Sequence, residues 1–318
     1  MKNLLIALFT RMRAEATPTS KELEQTPKED TSIEVRAPMP EQVTALPPEQ
    51  FTYSPEALHT HFFQINGSTR RIAYSISGNP EAKHILLCLP GLLETKDSFA
   101  HVHAHFLPIK ECNVISVDFS GRGQSDSIDS QDDYKMSLYL NDVTQFMSEN
   151  VIGTSGIQKK VTILGTSMGG VLAMYLTQRM SKPIDGIILN DIALTVNWTA
   201  LYSLYKSMKN QTGFRGLHEL AKELRVDEHV ISDVQQPGHF DLPYKADVWG
   251  MNFHEALDGY KGKIALIYGD KSTICTKQRV QEAKAQIPRL STLAVAGAGH
   301  PAPLNEAVCD FIQKQMNL

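Results

Sequence analysis

From about residue 58 onward, short β-rich apolar runs alternate with segments long enough to be helices, and this rhythm constrains the chain more than any other feature. The runs fall at 84–89, 113–117, 161–164, 184–189, 264–268 and 292–295. A strand wetted on one face alternates apolar and polar residues, whereas these are largely apolar along their length, so each has to be covered on both faces. Ten or more residues separate successive runs, which is room for crossover helices. The pattern predicts an α/β protein with a mostly parallel sheet flanked by helices. Ahead of it, runs at 61–65 and 71–76 flank Asn66-Gly67, a hairpin signal. One interval breaks the rhythm. Between Asp191 and Lys263 lie about seventy residues of helical character, too long for one crossover, and they predict a helical cap over 193–261, inserted between the sixth and seventh strands. The core is then 56–192 and 262–318.

The first 55 residues read differently. Residues 14–50 hold Pro18, Pro27, Pro38, Pro40, Pro47 and Pro48 among Glu, Gln, Thr and Lys, with no aromatic residue. Such a segment buries too little apolar surface to offset the entropy of ordering it, which predicts a largely disordered linker within a tail spanning 1–55. Residues 1–13 carry six consecutive apolar positions, Leu4 to Phe9, followed by Arg11 and Arg13. That is short of the roughly 7 to 15 apolar residues of an export signal, and charge sits where a cleavage site is uncharged. The alternative is a short helix that docks on the domain, on a partner or weakly on a membrane surface. The four cysteines form no Cys-x-x-Cys pair and read as reduced thiols, so the expected location is the cytoplasm. No run reaches the about 18 to 20 apolar residues of a membrane span. With 31 basic against 35 acidic side chains there is no electrostatic footprint for nucleic acid.

The chemistry is carried by residues 161–176. The run at 161–164 passes directly into Gly165-Thr166-Ser167-Met168-Gly169-Gly170 and then into a good helix. Gly-x-Ser-x-Gly between strand and helix is the nucleophile elbow, a tight bend that lifts the serine hydroxyl above the sheet. The motif alone is common by chance, and its context makes it specific. A serine hydroxyl is a poor nucleophile until a base takes its proton and an acid orients that base. The histidine should follow the last strand, where Ala296-Gly297-Ala298-Gly299-His300 offers His300 on a glycine-bracketed loop. An oxyanion needs preorganised backbone donors. The Met168 amide, next to the nucleophile, is one candidate; the Leu92 amide, in the Pro90-Gly91-Leu92-Leu93 loop after the run at 84–89, is the other.

Five blocks in order, Leu89-Pro90-Gly91-Leu92, Asp118 to Asp126, the Ser167 elbow, Leu189-Asn190-Asp191-Ile192-Ala193 and Gly297-Ala298-Gly299-His300, resemble the α/β-hydrolase superfamily in its capped esterase-like branch, over about residues 60–318. The resemblance implies the α/β-hydrolase fold and a serine-histidine pair. There are two departures. Pro90 stands where members commonly have a histidine. After the run at 264–268 the usual acid position is occupied by Ser272 or Thr273. Some relatives place the acid at the end of the preceding strand, where this chain has Asp191, and Asp270 is the runner-up.

Other residues invite attention. Asp97, His101 and His105 would share one helical face, with His103 pointing elsewhere, and they read as a solvated face rather than a metal site. Asp118 and Arg122 read as a buried charge pair fixing a loop, Asp126 and Asp142 as surface or loop-capping residues. Trp198, Tyr202, Tyr205, Phe214, Trp249 and Phe253 read as cap core. No cofactor and no metal is expected. The expected function is cleavage of a small or medium carboxylic ester through an acyl-enzyme, with thioesterase, carbon-carbon hydrolase and acyltransferase activities as alternatives on the same triad. A non-catalytic ligand-binding protein of this fold is the alternative from another class. Nothing in the sequence fixes the oligomeric state or the acyl group.

Overall fold

The computed structural model describes residues 41–44, 58–92, 94–128, 136–152, 159–196 and 253–318. Among these residues, nine strands form one sheet: β1 (Glu41–Thr44), β2 (Thr60–Gln64), β3 (Arg71–Gly78), β4 (His84–Leu89), β5 (Cys112–Val117), β6 (Lys160–Thr166), β7 (Gly186–Asn190), β8 (Lys263–Gly269) and β9 (Ser291–Ala296). Their spatial order is β1-β9-β8-β7-β6-β4-β5-β3-β2. Only β2 and β3 pair antiparallel, with each other and, for β3, with β5. Every other pairing is parallel, as in the register Leu89 beside Gly165 and Thr166 beside Asn190.

The uninterrupted apolar runs follow from the two covered faces. Alternate side chains of one strand point to opposite sides. Ile85, Leu87 and Leu89 of β4 join a cluster with Ile163, Ile187, Leu189 and Leu266, packed beneath α2 (Met136–Phe146), α3 (Met168–Arg179) and α4 (Lys277–Gln286). Leu86 and Cys88 join the other, with Val114, Leu164, Ile188, Ile267 and Val295, beneath α1 (Ala100–Phe106) and α5 (Glu306–Met316). Thr276 and Asn305 cap α4 and α5 by accepting the amides of Arg279 and Val308.

Several sequence expectations change here. Residues 41–44, inside the segment read as linker, form β1 along β9, a pairing between stretches too distant in sequence for composition to reveal. This strand also shifts the count, so the predicted cap falls between β7 and β8. Of the cap, residues 197–252 lie outside the described residues, as do Trp198, Tyr202, Tyr205, Phe214 and Trp249; Phe253 is buried and meets the edge of the Tyr175 ring. Residues 1–13 lie outside them too. The hairpin forms, but Asn66 keeps a negative φ and only Gly67, at +71°, is left-handed, so the turn is not the mirror-image type that Asn-Gly favours. Asp142 is not a surface residue: it is buried against Arg70 at 2.6 Å and accepts the Ser120 hydroxyl at 2.7 Å. No described helix is long and apolar enough to cross a membrane.

Candidate functional site

The carboxyl ends of β4, β6, β7, β8 and β9 converge, and their following loops carry the residues singled out above. Crowding explains the elbow. A Cβ on Gly165 would lie 2.4 Å from the Gly169 carbonyl oxygen, one on Gly169 2.1 Å from the Leu89 carbonyl oxygen, and one on Gly170 2.4 Å from the Ile192 side chain. Helix α3 therefore starts hard against the ends of β4 and β6, and Ser167 takes up the turn at φ +48°, ψ −111°, where side chains are rarely found. Its amide donates to the Asn190 carbonyl at 2.8 Å, which ties the elbow to β7.

Ser167, His300 and Asp191 come together. His300 Nε2 lies 3.1 Å from Ser167 Oγ, and His300 Nδ1 lies 2.9 Å from Asp191 Oδ2. A carboxylate at Nδ1 selects the tautomer that donates there, leaving Nε2 free to accept the serine proton. Asp191 is fully buried at φ +58°, and its Oδ1 accepts the Gly269 amide at 3.2 Å. Burial raises its pKa above the ordinary carboxyl value, opposed by the bond from His300, by that residue's charge and by the nearby Ser272 hydroxyl and the Gly269 amide. Ser272, at the customary acid position, thus lies near the carboxylate that stands on the neighbouring strand. It also accepts the amides of Ile274 and Cys275, at 3.3 and 3.0 Å.

Asp270 is turned elsewhere. Its Oδ1 accepts the Gly297 amide at 2.7 Å, and its own amide donates to Val295, so it braces the loop that carries His300. Met168 opens α3, and Leu92 is buried in the turn after β4; neither amide has a hydrogen-bond partner among the described residues. Asp118 and Arg122 are both buried but not partnered as expected: Asp118 accepts the amides of Lys96 and Gln124, at 2.7 and 3.0 Å, while Arg122 donates to the Gly91 carbonyl and the Tyr139 hydroxyl. Burial pushes the Asp118 carboxyl up to about 6. In α1, His103 is the buried member: Nδ1 meets Ser77 Oγ at 2.7 Å and Nε2 meets Ser116 Oγ at 2.9 Å. His105 bonds Gln313 at 3.1 Å.

Glu94 went unnoticed in the sequence. It is buried, and its Oε2 accepts the Gly91 amide at 2.7 Å. Burial raises its pKa, and the Gly91 amide, the nearby His300 and the Thr166 hydroxyl oppose the rise. A glutamate three residues beyond a glycine turn was the one signal available, and it carries no meaning without the fold.

The sequence model of the α/β-hydrolase fold family matches residues 84–210. A 3-hydroxybutyrate-oligomer hydrolase of Cupriavidus necator is 22% identical over 267 residues, covering 72% of this chain and 87% of that protein. Among solved structures, an α/β hydrolase from Novosphingobium aromaticivorans superposes with a TM-score of 0.64 at 17% identity, covering 82% of this chain and 98% of its own. A thermophilic esterase from Thermogutta terrifontis gives 0.60 at 16% identity, covering 81% of this chain and 98% of its own. At such identities the structures speak for the fold alone.

Proposed function

We propose that this protein, whose sequence and fold are similar to those of the α/β-hydrolase superfamily, is a serine hydrolase of small or medium carboxylic esters. The observation that carries this reading is the continuous chain from Ser167 Oγ through His300 to the buried Asp191 carboxylate, at 3.1 and 2.9 Å. In the proposed reaction His300 Nε2 takes the serine proton as Oγ attacks the ester carbonyl, and Asp191 stabilises the imidazolium. The Leu92 and Met168 amides receive the negative charge on the former carbonyl oxygen. Collapse expels the alcohol, protonated by His300, and leaves an acyl-serine. Water, deprotonated by the same histidine, then releases the acid and restores the hydroxyl.

The similarity to a hydrolase of 3-hydroxybutyrate oligomers supports an ester and recommends short hydroxyacyl esters for the first assays. The non-catalytic alternative drew its force from an irregular acid position, and Asp191 standing against His300 supports the catalytic reading over it. A fluorophosphonate probe tests the proposal. It should label the protein once, at Ser167, and extinguish hydrolysis of a panel of esters and thioesters of graded chain length. Absence of labelling together with absence of turnover on every member would overturn it, and preference for thioesters over esters would move it to the thioesterase alternative.

A further inference from the structure

The Gly91 peptide units are gripped from both sides, by groups that no part of the triad needs. The Gly91 N–H donates to Glu94 Oε2 at 2.7 Å. The Gly91 carbonyl accepts Arg122 Nη1 at 3.3 Å and also the Glu94 amide at 3.3 Å. Both side chains are buried, Glu94 at 6% and Arg122 at 1% exposure. Arg122 is anchored at its far side. It donates to the Tyr139 hydroxyl at 3.3 Å and lies over the Tyr139 and Phe119 rings. Glu94 lies near Thr166, the residue before the nucleophile, and Thr166 Oγ1 accepts from Asn190 Nδ2, which also donates to the Ala302 carbonyl. Buried polar groups therefore stand at the neighbours of Leu92, Ser167 and Asp191 in turn.

Peptide planarity gives this grip a direction. The Gly91 carbonyl and the Leu92 N–H belong to one trans peptide plane and point to opposite sides of it, so whatever fixes the carbonyl also aims the amide. A cation on the carbonyl additionally polarises the peptide and makes the Leu92 N–H a stronger donor. We infer that Arg122 and Glu94 are positioning residues for the oxyanion site, Arg122 aiming the Leu92 amide through the Gly91 carbonyl and Glu94 holding the same turn through the Gly91 amide. The inference rests on the serine-hydrolase reading above.

Arg122→Met, Arg122→Lys and Glu94→Gln test it, beside Ser167→Ala. Losing an oxyanion donor costs about 10²- to 10³-fold, and re-aiming one should cost less. Arg122→Met should lower kcat by about 10- to 10²-fold with KM changed by less than about threefold, because the interaction belongs to the transition state. Arg122→Lys, which keeps a cation but not the planar fork, should recover part of the loss. Glu94→Gln should lower kcat in the same sense by a smaller factor. The second readout is an alkylboronic acid, whose tetrahedral adduct on Ser167 places an oxygen in the oxyanion position. Its inhibition constant should rise in step with the loss of kcat/KM, which a purely structural role would not produce. Folded variants with kcat within twofold of the parent, or with unchanged boronic acid affinity, would overturn the inference. Should Arg122→Met fail to fold, the near-isosteric Glu94→Gln decides by the same two measures. Turnover surviving in Ser167→Ala would instead bring down the serine-hydrolase reading itself.

Discussion

Among the described residues, His103 and His300 each have both ring nitrogens hydrogen-bonded, in contrasting surroundings. His103, in α1, sits between two serine hydroxyls and is fully enclosed. His300 sits between one serine hydroxyl and a carboxylate, at the rim of the sheet with 9% of its side chain exposed. Burial governs His103: it outweighs the charge of the nearby Asp97, pushes the pKa down to about 4 and keeps the ring neutral. His300 instead has the Asp191 carboxylate hydrogen-bonded to its ring. A serine next to a histidine thus does not by itself mark a catalytic site; the carboxylate behind the ring distinguishes the proposed one.

The sharpest way to break the comparison is to make one chemical change at both places. Ser167→Ala should reduce ester turnover by about 10⁴-fold or more while leaving the fold intact; residual activity above a few per cent would undo the contrast. Next comes the acid. Asp191→Asn should lower turnover by up to about 10⁴-fold by leaving His300 in the wrong tautomer. Asp270→Asn, measured on the same ester, should stay within several-fold of the parent, since its carboxylate only holds the Gly297 amide. The reverse order would place the acid on β8.

The third test uses pH. His103 is held near 4 when folded and returns to 6.5 when unfolded, so between these values the unfolded chain binds a proton that the folded one refuses. Its contribution is complete above about pH 6.5 and is lost as the pH falls toward 4, by up to about 3 kcal/mol. Urea unfolding of the parent and of His103→Gln at pH 7 and pH 5 should show a shallower acid loss in the variant, with kcat at pH 7 unchanged in both. Equal acid sensitivity would show that burial does not set the character of this ring. The smallest effect is Ser116→Ala, which leaves a ring nitrogen unpaired and should cost about 1 kcal/mol of stability without touching turnover.

What the sequence disclosed and what it hid divide along the same physical line. The elbow was legible because close packing forces its glycines, and a steric demand leaves a mark at fixed spacing. The apolar runs were legible because burial on two faces disfavours polar residues along most of each strand. Partner choice leaves no such mark. Arg122 beside Asp118 in sequence suggested a pair, yet the guanidinium reaches Gly91 and Tyr139 across the fold. Ser272 looked like a missing acid and proves to stand near the one that lies 81 residues earlier in the chain, and the β1 register against β9 is as far beyond local pattern. Among the histidines of α1 the spacing set His103 apart, but only the packing of the helix against β3 and β5 tells which face is inside.

The crowding at Gly165, Gly169, Gly170 and Gly269 reaches into protein engineering. A Cβ at any of the four would come within 2.1 to 2.4 Å of a neighbouring atom, three times a backbone oxygen. In a laboratory evolution experiment these would behave as fixed letters, silent in every surviving clone whatever the selected substrate. A library that randomises the elbow would be dominated by members that cannot pack, so diversity aimed at a new acyl group belongs at other positions.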